Sequence, residues 1–134
     1  SWKAHRKASS QIQRLGGAKG FAESVGQISI AIHKREAPQA RLDYLIDEKR
    51  FRLPTASAIL AVLFPLEFAV YDYRLRDELK FRPIHTNRPG ERWARYQEYC
   101  EAIRKAAPPN YSLREADKYL WGRSRYEALG KLIG

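Results

Sequence analysis

An all-α fold is what this chain of 134 residues predicts, on three observations. Apolar residues recur at spacings of three and four in several segments, the period of a helix with one buried face. Proline and glycine fall mainly between those segments, where chain breaks belong. No stretch shows the strict alternation of polar and apolar residues that marks a half-buried strand. The architecture expected is a compact set of helices around one central apolar helix.

The elements follow in order. Residues 1–15, basic through Lys3, Arg6 and Lys7, read as a short first helix ended by Gly16 and Gly17. In 21–34, Phe21, Val25, Ile28 and Ile32 form one apolar stripe, so a helix with a single buried face is expected. Pro38 opens a third helix over 39–49 with Leu42, Leu45 and Ile46 inward and Asp43 outward. Residues 82–90, with two prolines, Asn87 and Gly90, read as a loop. Over 91–107, Trp93, Tyr96, Cys100, Ile103 and Ala107 share a face, and Glu101 with Lys105 is spaced for an ion pair. Pro108 and Pro109 stop that helix. Ser112 through Glu115 has the form of a capping box, starting a helix over 113–121, and a last short helix is expected over 125–133.

The chain is organised around residues 51–79. Residues 55–64 are apolar on nearly every side, so this helix is expected to be covered all round by others. Pro65 ends it, a short extended link follows, and Asp72 stands where an N-cap belongs for a helix over 73–81. The apolar run is too short, and too broken by Pro65 and Glu67, to span a bilayer.

Composition narrows the function. Lys and Arg number 25 against 15 Asp and Glu, a formal charge of +10, and such an excess favours a polyanion, above all nucleic acid, as partner. A single cysteine cannot form an internal disulfide, which points to a reducing, cytoplasmic setting. His5, His33, His85 and Cys100 lack the paired spacing of a zinc site, so no metal and no cofactor is expected. Methionine is absent even at position 1. One domain over 1–134, cut from a longer product, is therefore expected.

In the middle of the chain stand Leu53-Pro54-Thr55-Ala56-Ser57, an apolar helix, a short link, and then Val70-Tyr71-Asp72-Tyr73. This order resembles the helix-hairpin-helix DNA glycosylase superfamily, which holds the adenine-mismatch, endonuclease-III-like and 8-oxoguanine glycosylases. Thr55, Ala56 and Ser57 match its post-hairpin helix, and Asp72 matches its catalytic aspartate. The flanks, including Leu113-Arg114-Glu115-Ala116-Asp117 and Leu120-Trp121, are similar to a small bacterial branch related to those enzymes. The hairpin departs from the pattern: Arg50, Phe51 and Arg52 stand where glycine, an apolar residue and glycine are the rule. Pro54 takes the place of the lysine that bifunctional members use to form a Schiff base. A lyase activity is therefore not expected, and Cys100 alone cannot build the four-cysteine iron–sulfur loop of some members.

The resemblance implies DNA as the partner, with contacts from Lys49, Arg50, Phe51, Arg52, Thr55, Tyr73 and Arg74, and Asp72 as the catalytic carboxylate of a monofunctional N-glycosylase. Such a domain would associate with the nucleoid. Two readings stay open: base excision, or a non-catalytic module that keeps the fold to bind DNA or a protein, with Asp72 only a helix cap. Tyr71 is expected in the core, and Trp93 and Trp121 as core anchors. Tyr73 and Arg74 serve packing or binding equally well. Asp117 is a further candidate acid near the site.

Overall fold

The computed structural model describes residues 17–133, with side chains described at 23 and from 25 to 123. The expected first helix over 1–15, with Lys3, Arg6 and Lys7, lies outside the described residues, as does the Phe21 side chain. The protein is all-α. Its helices are α1 (Gly17–Lys34), α2 (Pro38–Asp43, continued by a π-helical turn Tyr44–Glu48), α3 (Leu53–Leu63), α4 (Tyr73–Glu78), α5 (Pro89–Ala106) and α6 (Leu113–Ile133). No strand occurs among the described residues, and none of their helices is long and apolar enough to cross a membrane. The contacts divide the chain into two units between Ala56 and Ser57.

In the first unit Ile28, Ile32, Leu42, Tyr44, Leu45, Phe51 and Ala56 are buried. Among the described residues of the α1 stripe, Ile28 and Ile32 are buried, whereas Val25, expected inward, is 45% exposed. Two arginines finish α1. Arg41 Nε donates to the Arg35 carbonyl at 2.6 Å and to that of Ile32 at 3.3 Å, filling acceptors a helix end leaves open. Arg35 lays its guanidinium 4.1 Å from the Tyr44 ring centre and reaches Glu48 at 3.8 Å. The π-helical turn widens the end of α2, so Lys49 N–H bonds the Tyr44 carbonyl five residues back at 3.1 Å. Arg50 then takes a left-handed φ of 63° and Phe51 N–H returns to the Leu45 carbonyl at 3.0 Å.

The central helix departs from the all-round cover expected. Ala56, Ser57, Leu60 and Ala61 are buried, but Val62 is 74% exposed and Leu63 is also exposed.

In the second unit α5 packs along α6, and α4 lies against α6. Tyr96, Tyr99, Cys100 and Ile103 of α5 and Leu113, Ala116 and Leu120 of α6 are buried with Phe68, Ala69, Tyr71 and Leu75. Phe68 is the centre of an aromatic group, its ring 6.1 Å from Tyr96, 6.2 Å from Trp93 and 6.5 Å from Phe64. The α5 helix begins earlier than the loop reading allowed: Pro89 and Gly90 form its first turn, since proline at the first helical position lacks only an N–H that would be unpaired anyway. Glu101 pairs with Arg104 three residues on in place of Lys105. The capping box forms as expected, Ser112 Oγ accepting from Glu115 N–H at 3.2 Å and Glu115 Oε1 from Ser112 N–H at 3.3 Å. From it α6 runs unbroken to Ile133 where two helices were expected, because a glycine such as Gly122, at the expected break, costs a helix only about 1 kcal/mol.

The α4 helix stops at Glu78, short of the expected 81. Lys80 N–H bonds the Asp77 carbonyl and Phe81 N–H the Arg76 carbonyl, a Schellman closure that sets Lys80 at a φ of 53°. Glycine holds that conformation without the Cβ clash. Lys80→Gly is therefore expected to raise the unfolding free energy by about 0.5–1 kcal/mol in a urea titration. No gain would mean that another interaction of Lys80 offsets the backbone cost.

Candidate functional site

Residues 68–72 lead from α3 to α4 with neither helix nor strand, and Asp72 itself is extended. Buried N–H and C=O groups need partners, and here side chains supply them. Tyr96 Oη accepts from Ala69 N–H at 3.0 Å and donates to the Ala69 carbonyl. Asp117 Oδ2 accepts from Val70 N–H at 3.1 Å, and Tyr99 Oη donates to the Val70 carbonyl at 2.9 Å. Ser57 Oγ accepts from Tyr71 N–H at 2.8 Å, and Tyr99 Oη accepts from Asp72 N–H at 3.3 Å. The link is thus held from α3, α5 and α6, and it delivers Asp72 to one place. Burial pushes both tyrosine hydroxyls well above their usual pKa, so they stay protonated and can donate. The same burial pushes the Cys100 thiol up to about 11.

Asp72 caps α4, its Oδ1 accepting from Arg74 N–H at 2.7 Å and Leu75 N–H at 3.4 Å. It also lines an open cleft of about 570 Å³ with Val70, Arg114, Asp117, Lys118, Trp121 and Gly122. Asp117 is 4% exposed, with Arg114 Nη1 3.7 Å from its Oδ2. Burial raises its pKa and the Asp72 charge raises it further, while Val70 N–H and Arg114 oppose both. Trp121, expected in the core, is 47% exposed and forms part of the cleft wall. Helical geometry explains this: Arg114, Asp117, Lys118 and Trp121 fall on one side of α6 and Leu113, Ala116 and Leu120 on another. Asp117 was visible in the sequence only as an acid beside a lysine; its burial and its bond to Val70 join positions 47 apart.

Tyr71 is buried, as expected, with its ring 5.0 Å from Tyr99 and its Oη accepting from Ile84 N–H at 3.1 Å. Tyr73 is exposed and sits edge-on to Tyr71 at 5.9 Å, with the Arg76 guanidinium 4.9 Å from its ring centre. Arg74 is exposed on the same first turn of α4.

The other candidate contacts belong to the first unit. Arg50 and Arg52 are exposed on either side of Phe51, which is 4% exposed and anchors the turn from within. Lys49 is half-buried, its Nζ 5.9 Å from the Tyr44 ring centre, and Thr55 is half-buried in the first turns of α3. Arg50 holds the left-handed φ that glycine adopts without penalty. Among the described residues, no group of three or more His, Cys, Asp or Glu could hold a metal ion. No family model, curated protein or solved structure matches this chain.

Proposed function

We propose that this chain is a cytosolic DNA-binding domain of the helix-hairpin-helix glycosylase kind, acting as a monofunctional N-glycosidic hydrolase on an altered or mismatched base. The observation that carries this reading is the cleft, where Asp72 stands with a second carboxylate, two cations and an exposed indole. Its volume lies within the range of small-molecule sites. A base drawn out of the duplex would face Trp121. Asp72 would then stabilise the positive charge that develops on the sugar as the glycosidic bond breaks, or activate the attacking water. Lys118 and Arg114 offer charge to the flanking phosphates. With Pro54 in place of an amine, hydrolysis is the only outcome of the two the superfamily uses.

Arg50 supports the DNA-binding part of the reading. The residue matched to a hairpin glycine keeps the backbone conformation that glycine would serve, and it adds a cation. The alternative, a non-catalytic binding module, draws on the capping bonds that occupy Asp72 Oδ1.

A salt series of duplex binding, on plain DNA and on DNA with an abasic-site analogue, tests the proposal. Tighter binding to the abasic duplex is expected, and Arg50→Ala with Arg52→Ala is expected to lower the slope of log K against log salt by about 2, since each phosphate contact contributes about 0.9. Equal, weak binding to both duplexes would count against the hydrolase and for the module. An unchanged slope in the double variant would remove the two arginines from the interface.

A further inference from the structure

The cleft holds two carboxylates whose surroundings differ in kind. Asp72 is placed as an acceptor, with Oδ1 turned to the N–H groups of Arg74 and Leu75. Asp117 is almost wholly buried, on the wall of the same cleft. Paired acids held in unlike environments commonly divide the two proton tasks of a hydrolysis. Resting on the hydrolase reading above, we propose that Asp117 is the proton donor to the departing base while Asp72 serves the sugar and the water.

The C1′–N bond breaks, its electron pair stays on the base nitrogen, and that nitrogen takes the proton of the Asp117 carboxyl. A water oxygen bonds to C1′ and gives a proton to the Asp72 carboxylate. Proton exchange with solvent then returns Asp117 to its acid form and Asp72 to its carboxylate. The products are an abasic sugar and the neutral base, the sum of substrate and one water.

Several groups act on Asp117. Arg114 lies on its own helix at 3.7 Å, with Lys118 on the same cleft wall. Asp72 faces it from the link, and Tyr99 and Cys100 from α5. Burial outweighs the cation here and raises the Asp117 pKa, so the acid form persists to higher pH than for a solvated aspartate.

Asp117→Asn tests the assignment, because its side-chain carbonyl can still accept from Val70 N–H while the proton is gone. The substrates are duplexes carrying a mismatched adenine, which is neutral in the duplex and needs a proton to leave as a neutral base, and N7-methylguanine, which is already cationic in the duplex and leaves neutral without one. The expected result is a loss of at least about 100-fold on adenine, with N7-methylguanine changed by less than about threefold. Thermal melting of the variant controls for folding. Equal losses on both substrates would reduce Asp117 to a structural anchor of the link and overturn the proposal, as would a wild-type chain that releases only N7-methylguanine. If only adenine is released, the pH profile decides: activity of the wild type falls as pH rises through the Asp117 pKa, and that limb must vanish in Asp117→Asn. A chain that releases neither base overturns the hydrolase reading and this proposal with it. A chain that releases both while Asp117→Asn keeps full activity overturns the donor role alone.

Discussion

Asp72→Asn is expected to lower base excision by about 10²–10⁴-fold while the protein stays folded and binds duplex almost unchanged. Asparagine caps a helix as well as aspartate does, so the bonds from Arg74 and Leu75 to position 72 survive. What disappears is the negative charge that the proposed mechanism sets beside the sugar. Asp72→Ala loses the charge and the cap together, which costs a further ~1 kcal/mol of stability. The pair of variants therefore separates the two roles of one side chain, read by single-turnover excision and by urea titration. If Asn keeps full excision, Asp72 is only a cap. If Asn and Ala are equally destabilised, the cap geometry at this position depends on the charge.

Tyr99→Phe is expected to lower the unfolding free energy by about 2–4 kcal/mol. One hydroxyl serves two backbone groups, donating to the Val70 carbonyl and accepting from Asp72 N–H. Removing it strands both, in a segment with no strand partner to take over. Each unsatisfied buried group costs about 1–3 kcal/mol, far more than a made bond contributes net. Phenylalanine fills the same space, so the packing against Tyr71 and Phe81 is kept and the change isolates the hydroxyl. Amide exchange at Asp72 should accelerate in step, and excision should fall because the aspartate loses the constraint on its own backbone. A stability change under about 1 kcal/mol would show that the link is held without this bond.

Local chemistry made much of the second unit legible along the chain. Ser112 and Glu115 form the capping box that their spacing announces, Asp72 caps α4, and Tyr96, Cys100 and Ile103 turn inward as their period requires. In the first unit Leu42 and Leu45 are buried where the pattern put them. These features depend on neighbours within a turn or two, and spacing expresses such neighbours directly.

Other features rest on residues far apart in sequence, and spacing is silent on them. Trp121 shares the apolar character of a core residue, but whether its face meets another helix or a cleft depends on how α6 lies against α4 and α5. Val62 and Leu63 carry the same apolar signal as Leu60, and only packing leaves them in water. The left-handed turn at Arg50, without the glycine that normally marks it, is set by the closing bonds after a π-helical turn. Most of all, the extended link has no regular structure of its own to read. Its place comes from Ser57, Tyr96, Tyr99 and Asp117, hydroxyls and a carboxylate delivered from three helices. Residue order along the chain therefore sets the helices, their caps and the presence of one aspartate at a helix start. Burial sets the rest, because a buried backbone must find its hydrogen bonds wherever the tertiary structure brings partners.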